Sequence, residues 1–150
     1  MPEALSFTQA ETAYSARLKE LSADEWQALR VALQRVEAAD SVGAWTQPVQ
    51  LDHGSWQMAY AQLSSEANDF MRTLDDLGLH IPFDWPSWHH GRTLAENRDE
   101  LTRATAAEAA MVIFAIWRSD RFVEGELLQS FETGLIQDAT RRPLQAGHPG

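Results

Sequence analysis

Cysteine is absent from the 150 residues. That removes disulfides, thiolate metal sites, iron–sulfur clusters and a cysteine nucleophile. Basic side chains are scarce: 12 Lys and Arg stand against 22 Asp and Glu, for a formal charge of −10. No run of Lys or Arg relieves that excess, so no nucleic-acid partner is expected. The glycines are scattered, and none forms a G-x-G-x-x-G or G-x-x-x-x-G-K phosphate loop; a G-x-S-x-G elbow is missing as well. Long hydrophobic runs are also lacking. The most apolar stretch, Ala106 to Trp117, is interrupted by Glu108 and is far shorter than the ~20 residues that span a bilayer, so no membrane span is expected. The opening residues, with Glu3 and Glu11 among them, lack the basic and apolar regions of a secretory signal, and the expected compartment is the cytoplasm.

What is present suits a globular domain, with 44% hydrophobic residues and six tryptophans. Ala10, Tyr14, Leu18 and Leu21 recur at helical spacing and predict a helix from Thr8 to Leu21. Ser22 and Glu25 have the spacing of a capping box, followed by Trp26, Leu29, Leu33 and Val36 on one face. After a polar connection from Ser41 to Ser55, the residues Trp56, Ala59, Tyr60, Leu63, Ala67, Phe70, Met71, Leu74 and Leu77 predict one long amphipathic helix stopped by Gly78. Leu79 to Gly91 reads as an ordered aromatic loop, and Arg92 to Arg103 as a short helix or a turn. A second capping box, Thr105 with Glu108, opens the apolar helix through Trp117, which should lie centrally. A last helical region runs from Phe122 to Ala139, broken at Gly134 and stopped before Pro143. The expected fold is all-α: a compact single-domain bundle of about five helices over residues 1–145, with 146–150 a mobile tail.

The densest charged cluster is Arg118, Asp120, Arg121 and Glu124, with Glu132 on the next element. One reading is an ion-pair network setting the angle between two helices. The other is a pocket in which an arginine fork holds a carboxylate or phosphate while Asp120 or Glu124 handles a proton. Trp85 and Trp88 offer flat faces that either stack a ligand or cover the bundle. Trp26, Trp56 and Trp117 read as packing residues, and Trp45 sits unexplained in a polar loop. His80, His89 and His90 are zinc-type ligands at poor spacing, so no metal site is expected.

Three segments carry a resemblance: Phe83-Asp84-Trp85-Pro86-Ser87-Trp88, then Arg118-Ser119-Asp120-Arg121-Phe122-Val123-Glu124-Gly125, then Phe131-Glu132-Thr133-Gly134-Leu135-Ile136. In this order they resemble a bacterial domain family of unknown function with D-W-P-x-W, R-x-D-R-F-x-E-G and F-E-x-G-x-I motifs. The similarity covers Phe83 to Arg142 and, more loosely, the helix before it. It implies a bacterial source and a helical domain, and brings no activity, cofactor or substrate. The expected function is a non-enzymatic protein-interaction module binding a protein partner or its own copy. The alternative is a binder of, or enzyme for, an anionic or planar small molecule, its candidate site formed by Trp85, Trp88, Arg118, Asp120, Arg121, Glu124 and Glu132. No cofactor is expected.

Overall fold

The computed structural model describes residues 4–147. They are mostly helical: α1 is Phe7–Glu20, α2 Ala23–Ala38, α3 Ser65–Asp76, α4 His89–Glu96, α5 Arg98–Thr102, α6 Ala106–Ser119, α7 Glu126–Glu132 and α8 Leu135–Gly147. Two short antiparallel pairs lie between α2 and α3. Strand β1 (Gly43–Trp45) pairs with β4 (Ala61–Leu63), and β2 (Val49–Gln50) with β3 (Trp56–Gln57).

The expected helix starts are in place. Ser22 accepts from the Glu25 amide while the Glu25 carboxylate accepts from the Ser22 amide, and Thr105 and Glu108 do the same for α6. The α6 helix is buried on nearly all sides, with α1, α4, α7 and α8 packed around it. The phenol of Tyr14 is fully buried, donates to the Ile81 carbonyl at 3.0 Å and accepts from the Ile81 amide at 2.9 Å. Burial pushes its pKa well above the usual phenol value. These bonds join α1 to the segment leading into the aromatic loop, which is held again where the Asp84 amide donates to the Leu5 carbonyl at 2.7 Å.

The count of five helices is corrected to eight among the described residues. Two of the additional helices, α4 and α5, lie in the stretch read as a loop and a short helix or turn. The third arises because the last helical region is two helices, parted at Gly134 with φ +80°. Residues 56–63, expected to open the long helix, instead form the returning arm of a ribbon. Trp56, Met58 and Tyr60 alternate with Gln57 and Ala59, a strand period that coexists with the four-residue spacing of Trp56 and Tyr60. Ser64 decides the boundary, because its extended backbone and the acceptance of the Ala67 amide by its hydroxyl at 3.1 Å start α3 at Ser65. Trp56 is therefore not a packing residue: 60% of it is exposed. Phe122 is not helical either and projects from the α6–α7 turn, 79% exposed.

Pro143 lies inside α8 rather than beyond its end. Proline removes one helical hydrogen bond. Tertiary contacts hold the helix nonetheless, since the Arg142 guanidinium donates twice to the Ala104 carbonyl, at 3.1 and 2.8 Å. The helix extends to Gly147, and residues 148–150 of the expected tail lie outside the described residues.

Candidate functional site

The three segments singled out in the sequence meet around α6. Trp85 to Ser87 form a 3-10 turn into which Pro86 fits by its fixed φ, and the Trp88 amide closes it on the Trp85 carbonyl at 3.1 Å. Trp88 turns inward, buried edge-on against Phe83 with ring centres 5.7 Å apart. Gly91 on α4 is what admits it, because a Cβ there would overlap the indole. Trp85 is half-buried and its ring lies 6.3 Å from that of Phe122 on the α6–α7 turn.

Between α4 and α7, above α6, lies a cleft of about 450 Å³. Val112, Ala115 and Ile116 of α6 are among its floor residues, and Trp85 and Trp88 line one end. Arg92 and Glu96 stand on the α4 side; Glu126, Gln129 and Thr133 stand on the α7 side. Glu126 Oε2 is shut off from solvent and accepts no hydrogen bond among the described residues. A sheltered polar atom without a partner typically costs ~1–3 kcal/mol, and more when charged. Arg92, exposed on the opposite wall, has neither an ion pair nor a side-chain hydrogen bond among the described residues.

Of the residues expected to form a site, Trp85 and Trp88 line this cleft, and Arg118, Asp120, Arg121, Glu124 and Glu132 do not. The Arg118 guanidinium lies 5.5 Å from the ring centre of its neighbour Trp117. Asp120 Oδ1 accepts the Leu127 amide at 3.0 Å and so caps the first turn of α7. Arg121, Glu124 and Glu132 are exposed and form no ion pair among the described residues. Ion pairs that do join helices are elsewhere, among them Arg17 of α1 with Glu25 of α2, Asp138 of α8 with Arg98 of α5, and Arg141 of α8 with Glu37 of α2, Arg141 also binding Asp138 within its own helix.

The histidines do not converge. His80 is buried against Trp117, with rings 4.7 Å apart and 13° from parallel, whereas His89 and His90 are exposed. His90 Nε2 lies 3.1 Å from the Glu108 carboxylate. No group of three metal-ligating side chains comes together among the described residues, and no described helix is long and apolar enough to cross a membrane.

A second feature went unseen in the sequence. The ribbon from Gly43 to Leu63 exposes Trp45, Val49, Leu51, Trp56, Met58 and Tyr60, and Met58 is 72% exposed. Between Ser41 and Ser64 its only carboxylate is Asp52, and that scarcity of charge in so acidic a chain was the available signal. At its root the Trp45 ring rests on Gly125, whose φ of +91° and missing Cβ both suit glycine alone. Glu126 and Arg92, by contrast, carried no sequence signal, since nothing local places them across a cleft.

The model of a family of unknown function (DUF6508) matches residues 21–146, a longer span than the three segments cover. No curated protein and no solved structure matches the chain.

Proposed function

Because the chain belongs to this family of unknown function, which carries no activity to transfer, we propose from its own geometry that it is a non-enzymatic protein-interaction module. The exposed ribbon is the observation that supports this reading. Trp45, Val49 and Trp56 on two short strand pairs with unpaired outer edges, and Leu51, Met58 and Tyr60 on the segments beside them, stand exposed, where each Å² covered by a partner is worth ~25 cal/mol. Interface centres are poor in charge and rich in aromatic residues, as this ribbon is. The surface continues from the Trp45 ring on Gly125 to the turn bearing Phe122 and Val123, with Arg121 and Glu124 as its polar rim. The partner is a protein carrying an apolar patch, and the net charge of −10 over the chain favours one that is basic. A second copy, itself at −10, is disfavoured by like charge.

The test compares the full chain with a Trp56→Ser/Met58→Ser variant. Both should melt at the same temperature, since neither side chain is packed in the core. A basic protein that binds the wild-type chain in purified form, loses at least tenfold in affinity to the variant and weakens with salt supports the proposal. A dimer by light scattering that the variant dissociates puts a second copy on the ribbon instead. Equal binding of every partner by both forms removes the ribbon from function.

A second reading is favoured by Glu126 and Arg92, two unpaired groups of opposite charge across one cleft: a small molecule binds between Trp85 and α7.

A further inference from the structure

We infer that the cleft takes a small zwitterion, a molecule carrying an ammonium and a carboxylate on an aliphatic or aromatic frame. This inference rests on the reading of the cleft as a small-molecule site and names the ligand's chemistry. Three observations bear on it. The carboxylate of Glu126 has one oxygen sheltered from solvent and without a donor. An ammonium supplies the opposite charge to a carboxylate that lines the cleft, and the donor its sheltered oxygen lacks once the carboxylate turns that oxygen toward the ligand; charge-assisted hydrogen bonds are roughly twice as strong as neutral ones. Across the cleft, the Arg92 guanidinium offers a planar fork matched to a carboxylate and is engaged with nothing else among the described residues. Between them the floor of Val112, Ala115 and Ile116 is apolar, the small Ala115 standing between the two larger side chains.

An anion alone would leave Glu126 without a partner and a cation alone would leave Arg92 without one, whereas a zwitterion engages both. The volume, about 450 Å³, lies within the range of small-ligand sites and holds a molecule of amino-acid size rather than a polymer. Trp85 lines the end of the cleft and presents an aromatic face to the ligand's frame.

The experiment titrates the 15N-labelled full chain with L-phenylalanine and 6-aminohexanoate, and in parallel with phenethylamine, N-acetyl-L-phenylalanine and hexanoate. At least one zwitterion should shift the backbone amides of Ser119, Gln129 and Thr133 saturably, and the matching amine and acid should bind at least tenfold more weakly. Glu126→Gln and Arg92→Met should each lower that affinity about tenfold or more while the melting temperature holds or rises, because each removes a charge that has no partner in the free protein. Arg92 is exposed, so its variant keeps the test decisive even if Glu126→Gln misfolds. Equal binding of the amine or the acid alone overturns the zwitterion and leaves the cleft as a site for that simpler ion. If neither these probes nor a wider panel of nucleotides, sugars and fragments moves the three amides, the inference and the small-molecule reading fall together. Shifts confined to the ribbon also overturn both.

Discussion

His80 is the most unusual single side chain in the molecule: its ring is buried against Trp117 and neither nitrogen has a hydrogen-bond partner among the described residues. Burial lowers its pKa below the ordinary value of 6.5, and the Asp75 carboxylate, 3.9 Å away and mostly exposed, opposes that only in part. The imidazole is therefore neutral in the folded protein at pH values where the unfolded chain already takes up a proton. In that window the unfolded state binds more protons, so stability rises with pH. The contribution is whole above about pH 6.5 and is lost as the pH falls from there toward the folded value. Replacing the ring removes the titration and the two unpartnered nitrogens together. In urea unfolding, His80→Leu should gain on the wild type more at pH 5 than at pH 7.5; an equal difference at both would mean that the ring does not titrate on unfolding. Nothing in the sequence forecast this burial, because the aromatic loop around His80 has no periodicity to say which side chains turn inward and its stacking partner, Trp117, comes from a distant helix.

At the scale of elements, the helices were readable wherever a cap and a periodic stripe agreed. Ser22 with Glu25 and Thr105 with Glu108 mark the starts of α2 and α6, and Gly78 ends α3 with φ +72°. Where two periods overlapped, at Trp56 to Leu63, local pattern could not choose between helix and strand, and the Ser64 cap decided. The ribbon also depends on its seat: Trp45 lies on Gly125 at the entry to α7, and a Cβ at Gly43 would meet the backbone of Gln62 and Leu63. That seat can be measured. Gly125→Ala should cost about 1–3 kcal/mol, combining left-handed strain with the clash on Trp45. Gly134→Ala has a similar φ of +80° and nothing within 4 Å of its new Cβ, so it carries the backbone cost alone, about 1–2 kcal/mol. In a Trp45→Ala background the Gly125→Ala cost should drop to that of Gly134→Ala, while the Gly134 value stays put. An unchanged Gly125 cost without Trp45 would show that the ribbon root contributes nothing to the entry of α7.

For the molecule as a whole, the sequence showed which segments were unusual and could not show that they meet. Trp85, the α6–α7 turn and the first residues of α7 come together only because α6 is buried among four neighbours, which is a property of packing. Charge, in contrast, is set by composition, and it acts on the fold and on the proposed complex with opposite signs. With 22 acids against 12 bases, the compact state gathers like charge that the unfolded chain spreads out. The ion pairs that offset this, among them Arg17 with Glu25, Asp138 with Arg98 and Arg141, and Arg141 with Glu37, are between about three-tenths and two-fifths exposed, where a pair is worth ~0–1 kcal/mol. Net repulsion therefore dominates. Added salt shortens the Debye length from about 30 Å at 0.01 M to about 3 Å at 1 M, which screens the long-range repulsion more than the close pairs. The melting temperature should rise as sodium chloride is raised across that range, while binding of a basic partner to the ribbon weakens. Calorimetric melting and titration of the purified complex over one salt series check both signs. A melting temperature that falls with salt would show that the Asp138 network outweighs the acidic excess, and a complex indifferent to salt would leave the apolar ribbon, without its charged surroundings, to explain the choice of partner.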